Sequence, residues 1–493
     1  MSRPIRVLLD LSLTTEGYSG IPQVTRLLYR MLRQMPELDV TGLMYCPRGT
    51  TAEHCFTESP VPGERIGNQA LFLEALTSRL PPLSTHRFLR EYQRAKRFVN
   101  LLIGPTRQQA MEPAFWDVLS RNYFFQTLGP EDLDIVRQGK FLLSTFSNRA
   151  MNYRWKLGLP AQRIDTTGFD FVIFQDSRIA RLSPGTVPIV RYHDMIPLLR
   201  PDCLTARRTI ELHHAALRHA VRDAAFVCNT ANTERDLVGA YPQVRERCWS
   251  IPYPLSSAYY PQRDEELLAT ILRARRCDEF GEGPLDASMP ASPYLLTVST
   301  LEPRKNYASL VQAFSRLTAR HKNGVKLVVV GNRGWKWEGL GHLFRPLIEK
   351  GQLIHLTNVS HEEMRVLYSH AQALVFVSYY EGFGLAPVEA MQCDVPVVLS
   401  DASSHRDVAG DAALYCNPYD IDSIRAALGQ LLFAPGSDAL RQSLIARGRR
   451  QLLNYQQAAL QARWLELFEQ LKPGLRPALL PMSSARLPRA SAA

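Results

Sequence analysis

Two carboxylates eight positions apart, Glu381 and Glu389, bracket the string EGFGLAPVE. The string follows an apolar run and leads into a helical pattern whose first turn accommodates Pro387. Gly382 and Gly384 let a backbone pass close to a ligand with no Cβ in the way. Phe383 and Leu385 lie on the same loop beside them. A helix start presents unpaired N–H groups and a positive dipole end, which suit a diphosphate. On this spacing one glutamate meets a sugar and the other a ribose. The plain alternative is a turn followed by an ordinary helix-start glutamate.

A second string, VSTLEPRKN over Val298–Asn306, leaves a strand pattern and enters a helix. Its adjacent cations, Arg304 and Lys305, can neutralise a nucleotide diphosphate. Arginine supplies a bidentate fork and lysine a movable point charge. A bare Arg-Lys pair is more often solvated surface charge. A third string, VRYHDMIP, puts His193 at the end of a strand, where the cleft residues of α/β sheets lie. No further metal-ligand residues cluster near it, so the string implies no metal. Asp194 beside it is read as an orienting hydrogen-bond acceptor. A fourth, Thr15–Ile21, is a glycine-bearing loop in which Gly20 is the best-placed residue to approach a phosphate or sugar.

Two lesser segments follow strands. Asn229–Glu234 faces the same cleft or serves as a helix N-cap. Gly331–Trp335 lines a nucleotide site, an acceptor site or an interface. The stretch His86–Leu102 alternates Arg87, Arg90, Arg94, Lys96 and Arg97 with Phe88, Leu89, Tyr92, Phe98 and Leu101. It is either a solvated helix or one that lies on anionic lipid.

The elements that must position these residues read as two α/β halves. In the first, strand patterns at Ile5–Leu11, Phe171–Phe174, Val187–Tyr192 and Ala225–Asn229 alternate with helices such as Ile21–Leu32. Residues 60–150 read as mainly helical. A stretch rich in charge, Gly and Pro then reads as an interdomain linker carrying one short helix, Glu265–Arg276. The second half has strands at Tyr294–Val298, Lys326–Val330, Leu353–Leu356, Ala373–Val377 and Val397–Leu399. The expected division is 1–255, a linker 256–292, 293–472 with a last helix that crosses back, and a disordered tail 473–493.

Composition sets the outer limits. The chain has 493 residues, 45% hydrophobic and 21% charged, which is globular rather than disordered or coiled-coil. No apolar run approaches the length of about 20 residues that a membrane span needs. The formal charge of +11 suits phosphorylated ligands or an anionic membrane surface. No zinc-finger or RNA-binding signature directs it toward nucleic acid. Eight scattered cysteines without a CxxC pair suggest reduced thiols and a cytoplasmic setting.

The segment Glu381–Glu389 resembles the E-x7-E signature of glycosyltransferase family 4, retaining enzymes of the GT-B fold. The strings EPRKN and YHD, and the block CDVPVVLSDASSHRDVAGDAALYCNP, resemble further elements of that family. Where the family often carries Pro-Glu, this chain has Arg406–Asp407, and no role is carried over to it. The resemblance implies two Rossmann-like domains facing a cleft. It implies that His193 and Glu381 act at the donor sugar. Gly20, Arg304, Lys305, Gly382, Phe383, Gly384, Leu385 and Glu389 would hold the rest of the donor. It further implies hexosyl transfer with retention, mannose from GDP-mannose first, to a glycan or lipid-linked acceptor in O-antigen or exopolysaccharide synthesis. The chain would be cytoplasmic, touching the inner face of the membrane peripherally. A GT-B epimerase and a non-catalytic sugar-nucleotide or polysaccharide-binding partner are the rival readings.

Overall fold

The computed structural model describes residues 3–45 apart from 16, 18 and 19, then 61–77 and scattered positions between 88 and 99. It further describes 106–203 apart from 126, then 207–281, 292–321 and 324–474. Glu16, Tyr18 and Ser19, most of the basic stretch His86–Leu102 and the tail from 475 lie outside the described residues. The described large apolar members of that stretch, Phe88, Leu89, Tyr92 and Val99, are exposed.

The first half builds an eight-stranded sheet. Its strands are β1 (Ile5–Asp10), β2 (Leu38–Tyr45), β3 (Gln108–Ala110), β4 (Lys140–Ser144), β5 (Phe171–Phe174), β6 (Val187–Tyr192), β7 (Ala225–Cys228) and β8 (Cys248–Ser250). They lie in the order β3-β4-β2-β1-β5-β6-β7-β8, all parallel except the edge strand β3. The second half builds a six-stranded parallel sheet from β9 (Tyr294–Val298), β10 (Lys326–Val330), β11 (Leu353–Leu356), β12 (Ala373–Phe376), β13 (Val397–Ser400) and β14 (Ala413–Cys416). Its order is β11-β10-β9-β12-β13-β14.

Both sheets are covered on both faces, which is why their strands read as near-continuous apolar runs. In β1, Val7 and Leu9 enter one core while Leu8 enters another. In β9, Leu296 and Leu295 divide in the same way. Among the parallel strands of each sheet the order reverses once, between β1 and β5 and between β9 and β12. The crevice beyond the carboxyl ends at such a reversal is where α/β sheets take ligands. This is the doubly wound, two-domain GT-B architecture.

Two features depart from the sequence reading. Most of the stretch 256–292, expected as a linker, belongs to the second domain. The helix Glu265–Ala274 starts on an Asp264 cap and buries Leu268, Ile271 and Leu272 in that domain's core, with Tyr259 beside them. After it, Cys277 N–H bonds the His355 carbonyl at 2.8 Å, extending the sheet edge. The local wealth of charge concealed an amphipathic helix. Strands β2, β3, β4, β8 and β14 are absent from the sequence expectation. The last helix, Gln457–Leu471, packs on the first domain: Leu460, Trp464 and Phe468 are fully buried in that domain's core. The Phe468 ring lies 4.7 Å from that of Phe171 in β5.

Candidate active site

The sequence candidates converge where the two reversal points face each other. The loop after β12 begins at Tyr379, whose N–H bonds the Arg304 carbonyl at 2.9 Å, tying it to the loop after β9. Glu381 is buried between the two cations, 2.7 Å from Lys305 Nζ and 2.8 Å from Arg304 Nη1. Arg304 also grips Glu302 at 2.5 Å. Two cations and two carboxylates therefore balance. The sequence reading left Arg304 and Lys305 free for a diphosphate, whereas here both are already paired.

The electrostatics follow from burial and pairing together. Desolvation alone would raise the Glu381 carboxyl, but Lys305 and Arg304 hold it far below the usual range. Desolvation pushes the Lys305 ammonium below its ordinary value against the pull of Glu381. The Arg304 guanidinium is driven upward by Glu381 and Glu302, against its own burial.

Eight positions on, Glu389 lies on the helix Leu385–Gln392 and forms no ion pair among the described residues. It accepts from the Tyr368 hydroxyl at 3.1 Å and from Gln23 Nε2 at 3.4 Å. Burial raises its pKa to about 7, moderated by those donors. Gln23 comes from the first domain's Ile21–Arg33 helix, which starts at Gly20 with φ of 69°. Gly20 is exposed at this helix start. Gly384 is the N-cap of Leu385–Gln392 with φ of 83°, and no side chain caps that helix start.

Three expected donor contacts take other roles. Phe383 is buried in a cluster with Val24, Tyr253, Val388, Val408 and Tyr455, which joins the two domains. Its ring packs on Tyr253 and Tyr455, so it offers a ligand no side chain. Leu385 packs against the same cluster. Gly382 faces the first domain: a Cβ on it would lie 2.3 Å from the His193 carbonyl oxygen and 2.9 Å from Asp194 Cβ. Its own carbonyl accepts from the hydroxyls of Thr230 and Thr233 at 3.1 and 3.3 Å. The glycine expected to make room for a ligand makes room for the opposite domain.

His193 ends β6 and is half-buried. Its Nε2 bonds the Gln175 carbonyl at 2.9 Å and its Nδ1 the Tyr253 hydroxyl at 2.6 Å. Desolvation, with Arg191 adding repulsion, lowers its pKa to about 3, so the ring is neutral at physiological pH. Asp194 Oδ1 accepts from the Ile196 N–H at 3.0 Å, the orienting role expected of it. Thr230 caps the helix Ala231–Ala240, while Asn229 donates to the His193 carbonyl at 2.8 Å.

Several participants were missed. Glu302 lies inside the EPRKN string but was given no role. Gln23, Tyr253 and Tyr368 lie in unremarkable local sequence, and only long-range folding brings them to the site. Asp407 accepts from the Asn232 N–H at 2.5 Å, setting a carboxylate at the start of a helix in the other domain. Arg406 instead pairs with exposed Asp401. In the loop after β10, Arg333 pairs with Glu279, and Lys336 lies 5.2 Å from the Trp335 ring centre. Among the described residues no group of three or more His, Cys, Asp or Glu forms a metal-binding cluster. No helix among them is long and apolar enough to cross a membrane.

Residues 288–451 match the family described as glycosyl transferases group 1. The chain is 29% identical over 261 residues to O-antigen chain mannosyltransferase B of Escherichia coli, covering 53% of this chain and 64% of that one. The chain thus spans somewhat less than two thirds of that relative. It is 32% identical over 279 residues to the O-antigen chain mannosyltransferase RfbU of Salmonella typhimurium, covering 56% of this chain and 70% of RfbU. In fold it is similar to sucrose-phosphate synthase from Thermosynechococcus elongatus, with a TM-score of 0.56 at 16% identity over 95% of this chain and 99% of that one.

Proposed function

Because the chain belongs to the group 1 glycosyl transferases, we propose that it moves a hexose from a nucleoside-diphosphate sugar to a hydroxyl group, with retained configuration. The observation that carries this reading is the Arg304–Glu381–Lys305 cluster at the reversal point of the second sheet, opposite His193 of the first. Mannose from GDP-mannose is the first candidate, supported by the likeness to O-antigen mannosyltransferases. The acceptor is a glycan or lipid-linked chain end in cell-surface polysaccharide synthesis. The setting is the inner face of the cytoplasmic membrane, with peripheral contact through basic and apolar residues of the first domain.

In this reading the diphosphate competes with Glu302 and Glu381 for the two cations. Arg304 and Lys305 turn from carboxylate to phosphate oxygens, and the amides at Gly384–Leu385 add further donors. Their charge opposes the negative charge that grows on the leaving diphosphate. Glu381, released toward the crevice, takes hydroxyls of the donor sugar. Glu389 takes those of the ribose. Neutral His193 faces the sugar from the other domain.

The test is a donor panel of GDP-mannose, GDP-fucose, UDP-glucose, UDP-galactose and UDP-GlcNAc. Thermal shift and slow donor hydrolysis are read together, with Lys305→Ala alongside. A true donor well above its Kd stabilises the fold by about a kcal/mol or more. Stabilisation by one donor, lost in the variant, is the expected result. A panel with neither stabilisation nor hydrolysis would sink the reading.

A further inference from the structure

We propose that Tyr253 is a positioning residue for His193: its hydroxyl fixes the imidazole in the Nε2-protonated form, and its ring ties that histidine to the loop carrying Glu381. The proposal deepens the glycosyl-transfer reading and depends on it for the role of His193.

Tyr253 lies just past β8, on the segment leaving the first sheet, and is 5% exposed. The direction of every hydrogen bond around it is determined. The Gln175 carbonyl can only accept, so the His193 Nε2 carries the proton at 2.9 Å. Nδ1 is then the acceptor, and the Tyr253 hydroxyl donates to it at 2.6 Å. That leaves the tyrosine oxygen to accept, which it does from Asn229 Nδ2 at 2.9 Å. The same Asn229 nitrogen donates to the His193 carbonyl at 2.8 Å. A chain of bonds thus runs one way from Asn229 through Tyr253 and His193 to Gln175. An amide N–H at its head and a carbonyl at its foot forbid reversal.

The ring and backbone of Tyr253 are held as firmly as its hydroxyl. Arg191, two residues before His193 on β6, is buried and has its guanidinium carbon 5.0 Å from the Tyr253 ring centre. Arg191 donates to the Ile251 and Pro252 carbonyls at 2.8 and 3.4 Å, fixing the approach to Tyr253. The ring packs against Phe383 with centroids 4.8 Å apart. Phe383 is two residues from Glu381. A shift of the loop on donor binding therefore bears on the residue that sets His193.

The test uses the full chain with ¹⁵N-labelled histidine, the His193 signal being the one absent from His193→Gln. Ring-nitrogen shifts of the wild type should report protonated Nε2 and hydrogen-bonded Nδ1. In Tyr253→Phe, which keeps the ring, the Nδ1 signature should be lost. Turnover of the donor found above should fall about ten- to a hundredfold with little change in KM. A Tyr253→Phe variant that keeps both the wild-type shifts and the turnover overturns the proposal. Should that variant fail to fold, the wild-type spectrum decides: a protonated Nδ1, or an Nδ1 without a hydrogen bond, overturns the proposal, and protonated Nε2 together with hydrogen-bonded Nδ1 upholds it. The spectrum needs no sugar, so failure of the glycosyl-transfer reading, seen as no turnover by the wild type, is distinguished from failure of this one.

Discussion

The two ends of the Glu381–Glu389 segment carry the same side chain in opposite electrostatic settings. Both carboxyls lose water, which by itself disfavours charge. At Glu381 two cations within 2.8 Å reverse that effect and hold the group ionised. At Glu389 the neighbours are a tyrosine hydroxyl and a carboxamide, which only moderate it, and the pKa rises to about 7. The partner, not the residue type or the burial, decides the charge. A segment of eight positions thereby offers a fixed anion at one end and a titrating carboxyl at the other.

The comparison breaks most sharply at Glu381. Glu381→Gln leaves Lys305 and Arg304 buried with one carboxylate fewer, and should cost about 3–5 kcal/mol of stability. The unfolding midpoint in urea measures this, and a loss under 1 kcal/mol would show that the cations find water or another partner. Gly382→Ala should follow. Its Cβ collides with backbone of the other domain, which cannot yield as a side-chain tip can. An overpacking cost of about 1–3 kcal/mol is expected, together with domain separation visible by small-angle scattering.

The pH dependence should divide between the two ends with opposite signs. The folded state raises the Glu389 pKa from 4.5 to about 7, so it holds a proton that the unfolded chain gives up. Stability from this group is complete below pH 4.5 and is lost as pH rises to 7. Allowing for partial exposure, Glu389→Gln should remove about 1–2 kcal/mol of that slope. Glu381 has a depressed pKa, so its contribution is present above 4.5 and is lost as pH falls below it. Unfolding midpoints of both variants from about pH 2 to pH 8 test the division. The smallest effect is at a third carboxylate, Asp407, which meets a helix start, with its one ion-pair partner among the described residues, exposed Arg235, at 3.8 Å. Asp407→Ala should cost about 0.5–1 kcal/mol, measured by the same unfolding curves.

The sequence was most informative where the chain is repetitive in the physical sense. Strands β9, β10 and β11, buried on both faces, stand out as apolar runs. The glycine-bearing loops stand out between strand and helix. It was least informative where a role depends on a distant partner. Nothing local to Gln23 reveals Glu389, which lies 366 positions away. Nothing near Gly382 announces that its empty side faces His193. Phe383 is expected as a ligand contact because its string resembles the family signature, yet its ring closes an interdomain cluster. Glu302 and Glu381 show the same limit in charge: a sequence displays cations without displaying what already neutralises them. The stretch after Ser256 was hidden by its composition, since charged residues on one face masked the apolar stripe of Glu265–Ala274.

The returning helix Gln457–Leu471 gives the molecule an unusual order of assembly. Residues of the first sheet leave the ribosome early, but Leu460, Trp464 and Phe468, which complete its core, leave near the end. The second domain contributes few side chains to that core and has its whole sheet in hand by Cys416. The half synthesised first should therefore be the half that matures last. During that interval an uncovered apolar face calls for protection by chaperones. A chain stopped before residue 457 would leave a finished second domain beside an unfinished first.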